Sequence, residues 1–427
     1  MLKFKRETEF KETEIGEIPK DWEVKELKEI IEDSIVGCIP LKRNKKFWEN
    51  GTIPWLTNKE VEYGTINYIY DTELKVTDIA IKETNLKLIP KNSLIISFTA
   101  SVGKVAVNKI PITTNQQFIS FILRNKHDVK YFAYYFVLQK EMIETFSGAT
   151  PFSFITKENA VRIPVICPSP KEQTRISTIL SWFDDLIENK KKQNEILEKT
   201  AMAIFKSWFV DFEPFKDGEF VDSELGKVPK GWEVGKLRTI AKIEGGGNAP
   251  QDEKYFIEGK FPFVRVKHLS KGVCVDGCDF INEKAIKDYR LKQFNEKSIV
   301  IQKSGESLKE ARVNLLPFNS YVVNHLAIFD YKVNKSIIWF LFCYLKKILY
   351  DLIEGEGGTA LPYLRMSDIQ NFNILIPPQP ILQKFHSLVE PLFQKIILNQ
   401  KEIMVLRQVR DALLPLLVFG KLRVEEI

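Results

Sequence analysis

Cys274 and Cys278, with His268 nearby, come closer to a metal site than anything else in this sequence. Zinc asks for four ligands in a tetrahedron, supplied in most structural sites by two close pairs. Two thiols and one imidazole, with no second pair nearby, leave that set incomplete, and no metal is expected. Triphosphate chemistry would need a glycine-rich loop ending in Gly-Lys-Ser/Thr, whose amides cradle the phosphates. Ser101-Val-Gly-Lys104 is too short for this, and Gly245-Gly246-Gly247 has no lysine beside it in the chain, so both read as turns. An adenine methyltransferase would show Asn/Asp-Pro-Pro-aromatic near its target base. Ile376-Pro-Pro-Gln379 lacks both the polar and the aromatic flank. The four histidines (His127, His268, His325, His386) form no Ser/Cys–His–Asp constellation. The chain reads as non-catalytic.

Side chains suited to nucleic acid are better represented. Lys42, Arg43, Lys45 and Lys46 cluster just before Phe47 and Trp48, and Thr57, Asn58 and Lys59 follow Trp55-Leu56. In the second half of the chain, Phe263-Val-Arg-Val-Lys sets Arg265 opposite Thr57 and Lys267 opposite Lys59. Asn115 and Gln116, in Thr113-Thr-Asn-Gln-Gln, and Asn324-His325 stand at corresponding places beside a predicted strand. Lysine and arginine neutralise phosphates, while Asn, Gln, Arg and Thr can read base edges. Singly, each has a plainer reading: Asn115 and Asn324 as turn caps, the lysines as solvated, Trp55 and Phe263 as core.

What lifts these residues above that reading is a repeat. EIGEIPKDWEVKELKEI from Glu14 returns as ELGKVPKGWEVGKLRTI from Glu224, an offset of 210 residues between Trp22 and Trp232. The offset recurs from Gly148 to Gly358, Pro168 to Pro378, Gln173 to Gln383 and Phe183 to Phe393. Small insertions shift the phase in between: Gly51 and Pro54 match Gly259 and Pro262 at 208, and Asn115 matches Asn324 at 209. A period this long is a domain duplication rather than a solenoid.

Each copy runs in the same order. Strand-like segments (Ser93–Phe98 and Gln117–Leu123; Ser298–Gln302 and Val322–Phe329) lead into apolar helical stretches, Val129–Phe146 and Ser336–Ile353. Glycine stops at Gly148 and Gly355–Gly358 end these, and proline-rich connectors follow. Then comes a long helix. Lys171 to Phe209 holds no glycine or proline, and Ile176, Phe183, Leu197 and Ile204 recur seven or fourteen apart, with Ile179, Leu180, Leu186, Ile187 and Ala201 filling neighbouring core positions. Val389, Phe393, Ile396 and Leu406 belong to the corresponding stripe of the second copy. An apolar stripe along a rod of roughly 60 Å must be buried against another helix, and the duplicate supplies one, antiparallel about a pseudo-twofold axis. The fold expected is α+β. Its divisions are 1–167 and 214–376 for the two mixed α/β blocks, and 168–213 and 377–427 for the helical spacers. Two similar modules on a stiff spacer suit a periodic partner, and DNA presents the same groove about every 34–36 Å.

The bulk numbers agree with a folded, non-membrane protein. Of 427 residues, 44% are hydrophobic and 28% charged; 62 basic against 56 acidic residues give a net charge of +6, which permits DNA binding without demanding it. Five scattered cysteines fit reduced thiols, MLKFKRETEF carries no secretory h-region, and the apolar run Ser336–Leu345 is too short to span a bilayer. A cytoplasmic location is expected.

The duplicated Gly-x-x-Pro-x-x-Trp opening, the proline-rich exit and the long helix after it resemble the specificity subunits of type I restriction–modification systems, over essentially the whole chain. The resemblance implies that each block is a target-recognition domain for one half of a split double-stranded DNA sequence. It further implies that the helices fix the unread spacer and dock two methyltransferase subunits, with nuclease-translocase subunits joining through that core. S-adenosylmethionine, ATP and Mg would then reside on the partner subunits and no cofactor on this chain. The blocks differ in their middles: Gln251, Asp252, Glu253 and Lys254 replace the basic cluster at 42–46, which implies two different half-sites. A self-contained methyltransferase or nuclease with divergent motifs, and a peptide-binding scaffold, are the alternatives.

Overall fold

The structure, a computed structural model, describes residues 3–99, 101–147, 155–331, 335–354 and 363–426. The glycine stops expected at Gly148 and Gly355–Gly358 lie outside these residues. The first copy contributes β1 (Lys3–Arg6), β2 (Ile31–Val36), β3 (Ile53–Leu56), β4 (Ile66–Ile69), β5 (Leu94–Ser97), β6 (Val105–Asn108), β7 (Thr113–Thr114) and β8 (Phe118–Leu123), then α1 (Val129–Leu138) and the long α2 (Pro170–Phe209). The second contributes β9 (Ala241–Gly245), β10 (Phe261–Val264), β11 (Ile299–Gln302), β12 (Val313–Leu315), β13 (Ser320–Val322) and β14 (Leu326–Tyr331), then α3 (Ile337–Glu354), the long α4 (Gln379–Val418) and β15 (Leu422–Glu426). Pro170 opens α2, where its missing N–H has no helical partner to lose.

The chain divides into two compact units, one of residues 1–185 with 408–427, the other of residues 186–407. In the first, a sheet in the order β2-β8-β5-β6-β4 is antiparallel except at β6–β4. Helix α1 packs on it through Tyr131, Phe132, Tyr135 and Phe136, all fully buried. The same core takes Ile176, Ile179 and Leu180 from α2 and Leu414, Leu417 and Val418 from the end of α4. Strand β15 returns to pair antiparallel with β1. The opening motif acts here as a buttress. Gly16, at φ +100°, turns a hairpin that L side chains would strain. Trp22 is 1% exposed and donates its indole N–H to Glu172 at 2.9 Å. Gly420 lies so close that a Cβ there would stand 2.4 Å from Pro19 Cγ. Arg423, stacked over Trp22, pairs with Glu7 (2.7 Å), Asp21 (2.9 Å) and Glu172.

The second unit repeats the plan with the order β9-β14-β11-β12 and with α3 in place of α1. Gly226, at φ +94°, turns the equivalent hairpin, and Trp232 packs against Phe209, Phe212 and Phe215 with centroids 5.7, 5.4 and 5.3 Å away. Within this unit α2 and α4 run antiparallel: Lys190 pairs with Glu402, whereas Phe209 meets Phe385 at 4.9 Å. Leu197, Ala201, Ile204 and Phe205 of α2 join Phe385, Val389, Phe393 and Ile396 of α4 in one apolar cluster. Phe393 is fully buried and stacks on Trp339 of α3 at 4.6 Å. A polar layer interrupts this packing. Asn399, 0% exposed, donates to Asn194 at 2.8 Å and to Gln193 at 3.3 Å, and its carbonyl oxygen has no partner.

Four expectations need correction. Val322–Phe329 is two strands, β13 and β14, with a turn at 324–325 between them. Val129–Phe146 breaks at Gln139 into α1 and a second helix, Lys140–Ser147. Leu186 is 50% exposed rather than buried. Leu406 is half-buried and outside the apolar clusters, whereas Ile176, Val389, Phe393 and Ile396 are buried, and Phe183, Leu197 and Ile204 pack half-buried against them. The heptad spacing is met on one face only, because each long helix also packs on its own α/β block and the apolar stripe must serve two partners.

Candidate nucleic-acid interface

Each block carries a second, smaller sheet built around one strand, β3 or β10. That strand pairs in parallel with a short partner, β7 or β13: Trp55 stands opposite Thr113, and Phe263 opposite Tyr321. Parallel strands end at the same edge, so the loops leaving them emerge side by side. In the first block these are 57–60 and 115–117; in the second, 265–268 and 323–325. The structure thus brings Thr57, Asn58 and Lys59 beside Asn115 and Gln116, and Arg265 and Lys267 beside Asn324 and His325. The close approach explains two matched glycines. A Cβ on Gly37 would lie 1.9 Å from the Asn115 carbonyl oxygen, and one on Gly246 would lie 2.3 Å from that of Val322.

The loops share one local device. Glu60 caps the turn after Thr57, accepting the Thr57 N–H and hydroxyl at 2.9 Å; His268 Nδ1 accepts the Arg265 N–H at 3.0 Å at the same place. In the first block, Lys59 and Gln116 are exposed. Asn58 is 9% exposed, its carbonyl accepts Lys104 Nζ at 2.7 Å, and neither polar atom of its amide has a partner. Asn115 is 6% exposed and hydrogen-bonds Gln117 at 3.0 Å, which serves the loop rather than a ligand. Lys42, Arg43, Lys45 and Lys46 are all exposed on a separate loop, with Lys45 paired to Glu49. That loop is seated on β3: Trp48 meets Trp55 edge-on at 4.9 Å, and the Trp55 indole donates to the Cys38 carbonyl at 3.0 Å.

In the second block Arg265 is half-buried. Its guanidinium pairs with Asp279 at 2.9 Å, lies over Phe256 at 5.1 Å and reaches the Pro250 carbonyl at 3.3 Å. Lys267 shares Asp279 at 2.7 Å. Burial pushes His268 below the ordinary imidazole value, against the pull of Asp279. Asn324 donates to Asn248 at 2.8 Å, and His325 is exposed with Nδ1 2.8 Å from Ser304 Oγ. Main-chain bonds also revise one correspondence. Asn115 N–H donates to the Leu56 carbonyl and Val323 N–H to that of Val264, so Asn115 matches Val323, Gln116 matches Asn324 and Gln117 matches His325. Asn115 and Asn324 share a residue type but not a backbone position. Gln117, missed in the sequence, takes its place in the loop on this ground.

Among the described residues no group of three His, Cys, Asp or Glu is placed to hold a metal. Burial pushes the Cys274 thiol far up and Cys278 to about 11. No helix among the described residues is long and apolar enough to cross a membrane.

Comparison with known proteins follows the duplication. The family model described as the type I restriction modification DNA specificity domain matches twice, over residues 19–199 and 229–408. The chain is 53% identical to the type I restriction enzyme MjaIX specificity subunit of Methanocaldococcus jannaschii, across 100% of this chain and 99% of the relative. It is 27% identical to the putative type I restriction enzyme MjaX specificity subunit of the same organism, with the same coverage. The fold is shared with the crystal structure of the type I restriction–modification S subunit from M. genitalium, at TM-score 0.57 and 20% identity over 93% of this chain and 96% of that one.

Proposed function

The chain belongs to the type I restriction–modification DNA specificity family, and from that premise we propose that it is the non-catalytic subunit that tells such a complex which DNA to modify. In this reading each block meets one half of a bipartite double-stranded target through its paired loops. The observation that carries it is the recurrence of one loop scaffold with different side chains. Thr57, Lys59 and Gln116 occupy the first copy where Arg265, Lys267 and Asn324 occupy the second. Phosphate contacts position a protein on DNA and base contacts specify the sequence. The exposed Lys42, Arg43, Lys45 and Lys46 therefore take the first role, and the loop residues the second. Arg265 is held flat by Asp279 and Phe256, so it meets DNA pre-oriented rather than as a free side chain.

Helices α2 and α4 set the length of the unread spacer and dock two methyltransferase subunits, through which the nuclease-translocase subunits join. S-adenosylmethionine, ATP and Mg are the partners' cofactors in this scheme. The test is a block exchange in the assembled complex. Replacing residues 214–376 with the same block of a related subunit is expected to change one half of the methylated sequence and leave the other intact. A change in both halves, or in neither, refutes the division of labour, and methylation by the purified chain alone refutes the non-catalytic role.

A further inference from the structure

Main-chain hydrogen bonds place Phe98 of the first block where Lys303 stands in the second. Phe98 N–H donates to the Gln117 carbonyl at 2.9 Å, and Lys303 N–H donates to the His325 carbonyl at 3.0 Å. Strand pairing on β2 and β9 aligns Val36 with Gly245: Val36 lies opposite Ile119, and Gly245 opposite Ala327. The same niche is therefore built twice, against the recognition loops. In the first block Val36, Phe98, Thr99, Gln116 and Gln117 border a cavity of about 260 Å³. In the second, a cation takes the place of the phenyl ring.

Three features single out that cation. Lys303 is half-buried, and its ammonium makes no ion pair among the described residues. Burial holds it below the ordinary lysine value, and no carboxylate among the described residues acts on it. The glycines beside it also differ in what they leave room for. Side chains on Gly246 and Gly247 would collide with the Val322 carbonyl oxygen at 2.3 Å and with Leu291 at 2.6 Å. A Cβ on Gly245 would meet only the Lys303 ammonium, at 3.7 Å, so this glycine leaves the charge open rather than relieving a clash. The third feature is His325, exposed at the rim with Nδ1 2.8 Å from Ser304 Oγ: in the tautomer where the hydroxyl donates to Nδ1, the ring proton sits on Nε2 and is free to donate outward. A half-buried charge with no ion-pair partner among the described residues is unfavourable, and a ligand presenting two adjacent acceptors offsets this.

We propose that this niche is a base-reading point, where Lys303 and His325 recognise the O6 and N7 acceptors of a guanine in the half-site of the second block. The proposal rests on the specificity-subunit reading. A backbone phosphate offers similar acceptors, but it asks for no recess and imposes no sequence. The first block, with Phe98 and Val36 in the same positions, makes no such demand for guanine.

The test uses the full chain assembled with its methyltransferase subunits, mapping methylated sites in a random duplex library. Wild type is expected to require guanine at one position of the second half-site. Lys303→Met relaxes that position by roughly ten- to a hundredfold and leaves the first half-site and the melting temperature unchanged. Gly245→Val, which covers the ammonium without removing it, relaxes the same position, while Lys303→Arg keeps it. A Lys303→Met protein with the wild-type profile overturns the proposal. So does one weakened equally on every sequence, with a salt slope lower by about one unit, because that marks a phosphate contact. A wild-type complex with no sequence preference overturns the specificity reading itself, and the proposal with it.

Discussion

Replacing Asn399 by leucine is expected to stabilise the second unit and to loosen the register of its helix pair. The two side chains have the same four-atom branched skeleton, so the change is one of polarity rather than shape. Against leucine stand two lost hydrogen bonds, to Asn194 at 2.8 Å and Gln193 at 3.3 Å, together about 2 kcal/mol at most. In its favour stand removal of a buried carbonyl oxygen with no partner, about 1–3 kcal/mol, and burial of added apolar surface at a position 0% exposed, about 2 kcal/mol. The balance is about 2 kcal/mol in favour of Asn399→Leu, which moves the urea midpoint up by roughly 0.5–1 M. Specificity is lost in exchange, because a buried amide fits one alignment and leucine fits several. Cysteines at Lys190 and Glu402 cross-link in the present register. With Asn399→Leu, pairs one turn away, Lys190 with Leu398 or Leu406, become competent as well. A lower urea midpoint would show that the Asn399 amide is fully satisfied, and cross-linking confined to 190–402 would show that the register is held elsewhere.

Phe393→Ala, which removes the ring stacked on Trp339, is expected to lose about 3–5 kcal/mol, whereas Leu406→Ala, outside the clusters, loses under about 1 kcal/mol; chemical denaturation followed by tryptophan fluorescence compares them. Arg423→Met leaves Glu172, 8% exposed, without its cation and is expected to lose about 3–5 kcal/mol at neutral pH. The hydrogen bond from Arg423 holds the Asp21 carboxyl below its ordinary value, so that contribution is present above about pH 4 and fades as pH falls through the depressed value. Stability measured against pH therefore shows a flatter acid limb for Arg423→Met than for wild type. Lys46→Gln is expected to weaken binding on all DNA sequences alike and lower the salt slope by about one unit, which a titration at several salt concentrations reads directly.

The parts legible in the sequence were those fixed by local chemistry or by comparing one half with the other. The Trp22/Trp232 offset gave the duplication, and unbroken periodicity from Lys171 gave α2 almost to its ends. Parallel pairing was not legible, because nothing in Trp55 or Thr113 says that two strands so far apart in the chain lie side by side. That pairing is what gathers Thr57 to Lys59 with Asn115 and Gln116. Lys303 escaped for the same reason. Gly245-Gly246-Gly247 has no lysine next to it in sequence, and the lysine arrives across the sheet from 58 residues further on. Leu186 shows the opposite failure, since apolar spacing marks a face without saying which of several partners, if any, covers it.

Because the first unit is closed by residues 408–427, its assembly has an order in time. A chain emerging from the ribosome presents the first block long before β15 exists to pair with β1, or Leu414, Leu417 and Val418 exist to cover Ile176 and Leu180. The second unit, one continuous stretch from 186 to 407, can finish folding while the first still waits. The block made first is completed last, and during that interval Trp22 and its neighbours are the apolar surface a chaperone would meet.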